Sequence, residues 1–336
     1  MNNVDVRKEV QDYCVAVGKD RLLTQGAGGN ISWKDSNSMH IKASGTWLVD
    51  ANSKDIFLPI DLQVLRANMI SGIFSVPEDI SMNSNMRPSI ETMMHAILPH
   101  TIVVHLHVVD VLSILVRKKA SLIIDSIFSG KINYIFIDYI KPGPDLAESI
   151  YRNIINNAVD VIFLKNHGVV IGGNNVQEVQ KKLEFILNEL QLHGSIQKLS
   201  LSNDNSCNLK IDGYNILDIP EVNKLACNHD ALDKVSNNWA LYPDHVVFLG
   251  EKPNLAKDVE CARKIVSSQN VSYVIIENCG VIVSANALKS EVAQLICYAD
   301  VFMRQPKGQE LDPINEQEVN ELINWDSEKF RINRSI

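Results

Sequence analysis

The stretch Ile102-Val-Val-His-Leu-His-Val-Val109 is the most informative part of this 336-residue chain. Side chains at positions i and i+2 of a β-strand point to the same face, so His105 and His107 would project together. The apolar residues around them would pack into the other side, which predicts a buried strand that presents two imidazoles. Two imidazoles on a rigid strand suit a transition metal, although a His-x-His pair alone also occurs without one.

A third histidine, His167, follows the apolar run Val161–Leu164 within the sequence Asn166-His167-Gly168. Asn and Gly on either side of a histidine favour a chain reversal, so the pattern predicts a tight turn between two strands. Such a histidine is by itself more often structural than a ligand. Together with His105 and His107 it completes a three-imidazole set that leaves one coordination position open, as a catalytic zinc site requires.

A glutamate, Glu91, precedes the histidine pair and follows Pro88-Ser89. Pro-Ser is typical of a helix start, so we expect Ser89 to cap a helix that ends near Pro99 and has Glu91 in its first turn. The helix dipole favours a carboxylate there, and a purely local role for Glu91 is therefore common. His95 shares the helical face of Glu91, and we expect it to support the site rather than to bind metal.

The bulk composition is that of a protein with a substantial core, since 46% of residues are hydrophobic and 21% are charged. The net charge of -8 argues against a nucleic-acid partner, which usually demands a basic surface, and gives no reason for binding anionic membranes. The polar start MNNVDVRKEVQDYC lacks the apolar core of a signal peptide, and no run of about 18 apolar residues is present. These features predict a cytoplasmic protein.

Alternating helix and strand patterns predict an α/β fold in two units, with a first unit over residues 1–198 and a second over 214–336. Residues 199–213 are rich in Ser, Asn and Asp and poor in large apolar side chains, so they are interpreted as a linker. Within the first unit, residues 46–49 are predicted to form a strand. The charged tail after about residue 306 is predicted to be frayed.

One segment of the second unit echoes the first. VIFLKNHGVVIGGN (161–174) resembles YVIIENCGVIVSAN (273–286), and both place Asn-x-Gly between two apolar runs. Cys279 then occupies the place of His167. The echo indicates either a degenerate repeat or the ordinary likeness of strand-turn-strand segments. If the repeat is real, the second unit could cover the active site in place of a neighbouring subunit.

Five motifs follow one another in a fixed order that identifies a family resemblance. They are Gly26-Ala-Gly-Gly-Asn30-Ile-Ser, Ala43-Ser44-Gly45, Pro88-Ser89-Ile-Glu91, His105-Leu-His107 and Asn166-His167-Gly168. Over residues 5–195 the chain resembles the class II aldolase/adducin family, and most of all the rhamnulose-phosphate aldolase portion of bifunctional aldolase–dehydrogenases. Tyr242-Pro243-Asp244-His245 is similar to the part just after that core.

The resemblance implies α-β-α layers with a central mixed or antiparallel sheet, and a metal-dependent carbon–carbon lyase that acts on a sugar or a ketose phosphate. It further implies one Zn²⁺ per chain held by His105, His107 and His167, a catalytic Glu91, and a homo-oligomer. A tyrosine often serves as the acid in this family, and Tyr139 is the candidate here. The expected phosphate-binding residues are Gly28, Gly29, Asn30, Ser44, Gly45 and Ser89.

Two departures from the family pattern weaken the expected phosphate site. The family's sugar-phosphate aldolases usually have Thr-Ser where this chain has Ala27-Gly28, and many have a second serine where it has Ile90. Alternatives on the same scaffold are a sugar-phosphate 4-epimerase, a dehydratase or decarboxylase, and a non-catalytic adducin-like binding protein. Asp110 and Asp138 are the candidates for orienting the metal histidines.

Overall fold

The computed structural model describes residues 3–77, 80, 86–155, 157–194, 210–227 and 229–334. The strands in these ranges are β1 (Asn30–Lys34), β2 (Ser38–Lys42), β3 (Phe57–Asp61), β4 (Ile102–Leu106), β5 (Tyr134–Ile137), β6 (Val161–Leu164), β7 (Gly168–Gly173), β8 (Tyr214–Ile216), β9 (Leu255–Ala256), β10 (Tyr273–Ile276) and β11 (Gly280–Ser284).

Helices lie between and after these strands. They are α1 (Asn3–Lys19), α2 (Leu62–Ile70), α3 (Thr92–Ile97), α4 (Val109–Leu115), α5 (Ala120–Phe128), α6 (Pro144–Ile154), α7 (Val176–Leu192), α8 (Pro220–Asn223), α9 (His229–Asn237), α10 (Pro243–Leu249), α11 (Val259–Ser268), α12 (Lys289–Met303), α13 (Glu316–Ile323) and α14 (Asp326–Arg334). Among the described residues, no helix combines the length and the apolar character needed to cross a bilayer.

A seven-stranded mixed sheet forms the first unit, with the strand order β3-β2-β1-β4-β7-β6-β5. Neighbouring strands are antiparallel except for the parallel pair β5 and β6. Helices cover both faces of the sheet, so the predicted α/β fold with α-β-α layers is confirmed. The histidine-bearing strand β4 lies in the middle of this sheet.

Alternation along β4 directs its residues to opposite helical layers. Val104 and Leu106 pack in the cluster that contains residues of α1, α5 and α7. Val103 packs on the other face, with Met94 of α3 and Leu146 of α6. Because side chains alternate along a strand, His105 lies on the same face as Val103, next to α3 and the residues before it. Glu91 therefore lies on the same side of the sheet as the strand histidines.

The second unit contains a four-stranded sheet with the order β8-β11-β10-β9. Its neighbouring strands are antiparallel except for the parallel pair β9 and β10. The two units share a hydrophobic cluster in which Leu112 and Val116 of the first pack with Tyr298 and Phe302 of the second. Residues 199–209 of the expected linker lie outside the described residues, and the division into units at that place stays a prediction.

The expected strand over residues 46–49 is wrong. The segment contains a 3-10 turn, Leu48–Asp50, whose Leu48 is buried in the cluster that includes α1. A Cβ on Gly18 of α1 would lie 2.4 Å from the backbone nitrogen of Val49, so the two backbones are in close contact. Packing against α1 therefore decides the conformation here, whereas the local sequence suggested a strand.

The expectation of a frayed tail after residue 306 is also wrong. Residues 316–334 contain the helices α13 and α14. Asn315 caps α13 by accepting a hydrogen bond from the amide of Glu318. Much of the charge that suggested fraying is paired in the structure, and Glu328 of α14 is only 2% exposed.

Candidate metal centre

The side chains of His105 and His107 meet at the end of β4. His105 is the fourth residue of the strand, and His107 is the first residue after it. Their Nε2 atoms are 3.1 Å apart, and both side chains are buried. The strand alternation therefore brings the two imidazoles together as the sequence predicted.

The third histidine reaches the same place from the turn between β6 and β7. Asn166 adopts a left-handed backbone conformation with φ of 52°, which asparagine tolerates better than most residues. A Cβ on Gly168 would lie only 2.5 Å from the carbonyl oxygen of Leu106, so the turn can approach β4 only with glycine there. This close approach brings His167 to the pair on β4.

The three imidazoles form one buried group whose ligand atoms all lie within 4.8 Å of one another. Nδ1 of His105 lies 3.2 Å from the carbonyl oxygen of Val169 and donates its proton to it, which leaves Nε2 with a lone pair. Burial lowers the pKa of His105 well below its usual value, so the ring is neutral. The second Nε2 lies within hydrogen-bond distance of this lone pair, so the two nitrogens can share a proton or bind a cation, and the donor set fits a metal such as zinc.

Glu91 contributes a carboxylate to the same group. Its Oε1 is 3.2 Å from Nε2 of His167 and 3.6 Å from Nε2 of His105. Burial alone would raise the pKa of Glu91, but the neighbouring His105 and His167 and the Asn30 amide hold it well below its usual value. The carboxylate is therefore ionised and available to a metal or to a proton.

The placement of Glu91 differs in detail from the sequence prediction. Helix α3 begins at Thr92, so Glu91 lies just before the helix and not in its first turn. Ser89 does not cap the helix; its hydroxyl accepts a hydrogen bond from the amide of Glu91 at 3.2 Å. The segment before α3 is thus a turn that fixes the backbone of Glu91, which the Pro-Ser pattern did not distinguish from a helix start.

A chain of hydrogen bonds fixes the Glu91 side chain from behind. Asn30 donates from Nδ2 to Oε2 of Glu91 at 2.7 Å, and its Oδ1 accepts from Nε2 of His95. Nδ1 of His95 lies 2.8 Å from the hydroxyl of Ser32, which donates to it. Burial lowers the pKa of His95 to about 3, consistent with a neutral ring in this chain. His95 is thus a supporting residue, and the Asn30 amide is engaged by the protein.

An aspartate from the second unit contacts the centre, and the sequence interpretation missed it. Oδ2 of Asp244 in α10 lies 3.3 Å from Nδ1 of His107. Within the described chain, neither Asp110 nor Asp138 contacts a ligand histidine, so those two candidates were wrong. Asp110 instead accepts a hydrogen bond from Arg304 at 2.6 Å, because α4 packs against α12.

Asp244 is itself part of a buried charge cluster. Arg331 of α14 donates to both of its carboxylate oxygens, at 2.6 and 2.7 Å. Burial alone would raise the pKa of Asp244, but Arg331 and His107 hold it well below its usual value. Burial alone would lower the pKa of Arg331, but Asp244 and Glu328 raise it. The Asp244–Arg331 pair is therefore ionised, whereas burial raises the pKa of Glu328.

A small cavity of about 30 Å³ adjoins the histidines and includes residues from both units. Five of the six expected phosphate-binding residues line it: Gly29, Asn30, Ser44, Gly45 and Ser89. Backbone amides are partly engaged within the protein, since Gly28 donates to Gln25 and Ser44 donates to Arg87. The phosphate-binding role of these residues stays a prediction.

Two cationic side chains line the cavity that the sequence interpretation did not select, Lys42 and Arg331. The Lys42 ammonium donates to the carbonyl oxygens of Ala27 and Thr46, and burial lowers its pKa to about 7. A lysine at the end of a strand is ordinarily solvated, so nothing in the sequence indicated that this one is buried. Both cations could contribute to binding an anionic substrate.

Tyr139 is not brought to the cavity. Within the described chain it packs against an apolar cluster that contains Ala240, Val246 and Ile314, and it is not among the cavity-lining residues. Burial raises the pKa of its hydroxyl above the usual value. Its role as the acid stays a prediction that this arrangement does not favour.

Comparison with known proteins gives a family for most of the first unit. Residues 8–193 match the model of the Class II Aldolase and Adducin N-terminal domain. An L-fuculose phosphate aldolase of Methanococcus maripaludis is 30% identical over 189 residues, which cover 54% of this chain and 92% of that protein. An uncharacterized oxidoreductase of Bacillus subtilis, YuxG, is 26% identical over 192 residues, or 52% of this chain and 27% of that longer protein.

Among solved structures, the N-terminal class II aldolase domain of a conserved protein from Thermoplasma acidophilum is similar to this chain. The identity is 26% and the TM-score is 0.48, with 57% of this chain and 95% of that chain covered. The match to the family model, residues 8–193, includes the three histidines and Glu91.

Proposed function

Because this chain belongs to the class II aldolase and adducin family, we propose that it is a zinc-dependent lyase that cleaves a sugar or ketose phosphate by a reversible retro-aldol reaction. The observation that carries the proposal is the meeting of three buried imidazoles and an ionised carboxylate beside a cavity. Three nitrogen ligands with an open position suit a catalytic metal better than a structural one.

When bound, the metal supplies Lewis-acid stabilisation of negative charge on the substrate oxygens. In the cleavage direction, the hydroxyl beyond the scissile carbon–carbon bond gives its proton to the ionised Glu91 and becomes the carbonyl of the leaving aldehyde. The electron pair of the broken bond remains on the ketose fragment as an enediolate. Glu91 returns a proton to that carbon, and in the synthetic direction it removes the same proton.

The chain's own residues prepare Glu91 for this task. Asn30 occupies Oε2, so Oε1 is the oxygen directed to the histidines and the cavity. His95 in turn fixes Asn30, and the three side chains are buried. A base held in one orientation does not have to be ordered again at each turnover, which lowers the entropic part of the barrier.

The phosphate in the proposed substrate is supported by the names of the curated relatives and by the cations of the cavity. The matched Methanococcus proteins are L-fuculose phosphate aldolases. Lys42 and Arg331 line the cavity together with Ser44 and Ser89, so donors for an anion are present where the glycine-rich loop lacks hydroxyls. We therefore expect phosphorylated ketoses to react faster than the free sugars.

The decisive experiment is a panel of ketose 1-phosphates and the corresponding free ketoses, with the products identified. Release of dihydroxyacetone phosphate and an aldehyde, dependent on added zinc after chelator treatment, is the expected result. Formation of an epimer without release of fragments would replace the aldolase by a 4-epimerase. Absence of bound metal and of any turnover would favour the binding-protein alternative.

Glu91→Gln tests the base assignment. Because the amide cannot accept the proton, we expect kcat to fall by about 10²- to 10⁴-fold. Zinc content is measured on the same samples, so that loss of metal is not mistaken for loss of the base. Unchanged turnover with zinc still bound would remove Glu91 from its proposed role. The expected homo-oligomer is tested separately, by light scattering on the same preparation.

A further inference from the structure

We propose that the second unit completes the metal centre: Asp244, fixed by Arg331, accepts a hydrogen bond from Nδ1 of His107 and thereby directs Nε2 of this histidine toward the metal. Asp244 would be a positioning residue, because it acts through His107 and not on the substrate. The inference rests on the proposed zinc centre and goes beyond it, since it gives the second unit a part in metal binding.

The first argument is the geometry around Asp244. Its Oδ2 lies 3.3 Å from Nδ1 of His107, and Arg331 and Gln294 donate to the carboxylate from the other sides. The two-pronged contact with Arg331 fixes the plane of the carboxylate as well as its position. A neutral imidazole carries one N–H, so an acceptor at Nδ1 places the proton there and leaves the Nε2 lone pair free.

The second argument is that His107 would then match its neighbour on β4. His105 directs Nδ1 to the carbonyl oxygen of Val169 in a hydrogen bond. Nδ1 of His107 has no hydrogen-bond partner within the described residues, and Oδ2 of Asp244, 3.3 Å away, is the acceptor that the proposal assigns to it. Both Nε2 atoms consequently face each other at 3.1 Å, where a shared metal would bind. A carboxylate behind a metal-bound histidine is a recurrent arrangement that raises the basicity of the ligand.

The third argument is the space left by Gly28. A Cβ at this position would lie 2.8 Å from Oδ2 of Asp244 and 3.0 Å from Nδ1 of His107. Any other residue would therefore press on both partners of the contact, and only glycine leaves room for it. The absence of a side chain at residue 28 thus has a physical reason that is independent of the charges.

The fourth argument is the position of Asp244 and Arg331 within the second unit. The second sheet has the same strand order as β4-β7-β6-β5, and helices occupy corresponding places between its strands. Helix α10, which carries Asp244, lies between α9 and β9, and the described part of the first unit has no helix at the matching place between α5 and β5. Helix α14, which carries Arg331, lies after α12, the helix that corresponds to α7. The segments that reach His107 are those in which the second unit differs from the first.

The test is the zinc affinity of the full chain, measured by competition with a chromophoric chelator, together with the visible spectrum of the cobalt(II) form. For Asp244→Asn we expect the zinc dissociation constant to rise by about 10- to 100-fold and the cobalt spectrum to change. Gly28→Ala should act in the same direction, because the added methyl group displaces the carboxylate from His107. Circular dichroism and thermal unfolding confirm that each variant is folded.

Glu328→Gln is the matched control, because it removes the other carboxylate partner of Arg331 without contacting His107. Its zinc affinity and cobalt spectrum should stay close to those of the unchanged protein. An equal loss of affinity in Glu328→Gln and Asp244→Asn would overturn the proposal, since the effect would then be one of overall cavity charge.

Two further outcomes are separable. If the unchanged protein binds zinc and Asp244→Asn binds it equally well, the role of Asp244 is disproved while the zinc centre stands. If the unchanged protein binds no zinc, the proposed metal centre fails, and the role of Asp244 fails with it. Should Asp244→Asn not fold, Gly28→Ala decides between a positioning role and none.

Discussion

Four strands of the first sheet and the four strands of the second share one topology. β4-β7-β6-β5 and β8-β11-β10-β9 have the same strand order, and each has one parallel pair at the same end. The helix between the parallel strands is α6 in one case and α11 in the other, and a long helix, α7 or α12, follows the last strand. This correspondence supports the proposal that the second unit is a degenerate repeat of the first.

The correspondence extends to the turns. Asn166 and Asn278 have φ values of 52° and 54°. The backbone N–H of each donates to the carbonyl oxygen of the last residue of a helical segment, Leu115 in one unit and Ala226 in the other. Where the first turn continues with His167, the second continues with Cys279. The backbone of the turn is therefore independent of the histidine that one copy carries.

The strand that should present a histidine pair shows the main difference. β4 is fully buried in the middle of its sheet, whereas its counterpart β8 has three residues and lies at the edge, partly exposed. A short, partly exposed edge strand provides less packing to hold two side chains in place than a buried central strand does. Within the described residues, the group of three histidines lies in the copy whose strand, β4, is buried in the middle of its sheet.

The largest effect that we expect from this comparison follows the removal of His167, the residue of the first turn that Cys279 replaces in the second. His167→Ala takes away one of three imidazole ligands, so we expect zinc affinity to fall by more than the 10- to 100-fold typical of a residue behind a ligand, that is by more than about 100-fold. The chelator competition assay measures this directly, and turnover should fall with it.

His229→Ala is the control variant in the second unit, since His229 is an exposed histidine near Glu277, which precedes the second turn. Zinc affinity should be unchanged in this variant. If His167→Ala retained full zinc affinity, the first turn would be no more of a metal site than the second, and the distinction between the two copies would be lost.

The sequence was a good guide wherever a function depended on local geometry. The pairing of His105 and His107 follows from strand alternation, and the turn at His167 follows from its Asn and Gly neighbours. Each motif constrains the conformation of its own backbone, and the order of the motifs, which matches that of the family, indicated that they belong to one site. The α/β class and the His167 turn were therefore predictable without coordinates.

The sequence could not indicate which distant residues close the site. Asp244 and Arg331 reach His107 only because α10 and α14 fold back over the first unit, and no periodicity in the chain relates them. The charge of the tail suggested solvation, yet Arg331 is paired with both Asp244 and Glu328 in the interior. Such pairing is a tertiary property, so local composition misleads about it.

A second prediction compares a buried histidine in each unit. Burial lowers the pKa of both His95 and His245 to about 3. His95 has hydrogen-bond partners, whereas both ring nitrogens of His245 lack one within the described chain, and the ring packs between Trp239 and Tyr298. A folded pKa of about 3 below an unfolded value near 6.5 means that the unfolded chain binds more protons between these pH values.

Stability is therefore complete above pH 6.5 and declines as the pH falls toward 3, by about 1.4 kcal/mol per pH unit for each such histidine. His245→Phe keeps an aromatic ring and removes the titration. Between pH 7 and pH 4.5 its free energy of unfolding should therefore fall by about 2–3 kcal/mol less than that of the unchanged protein. Urea unfolding at the two pH values measures the difference. Equal losses in the two proteins would show that His245 is not buried as a neutral ring.

The smallest expected effect concerns the two asparagines of the matching turns. Asn166 donates from Nδ2 to the carbonyl oxygens of Leu241 and Asp312 at 2.9 and 2.8 Å, and so ties the His167 turn to the segment that leads into α10. The side chain of Asn278 is exposed. Glycine accepts the left-handed backbone at either position, so substitution by glycine isolates the role of the side chain.

We expect Asn166→Gly to lower the free energy of unfolding by about 1–3 kcal/mol, because two buried carbonyl oxygens lose their donor. Asn278→Gly should change it by no more than about 0.5 kcal/mol. Urea unfolding at pH 7 compares the two. Equal effects would mean that Asn166 serves only the turn. A difference in the expected direction would show that the first turn, unlike its counterpart, also holds the second unit over the metal centre.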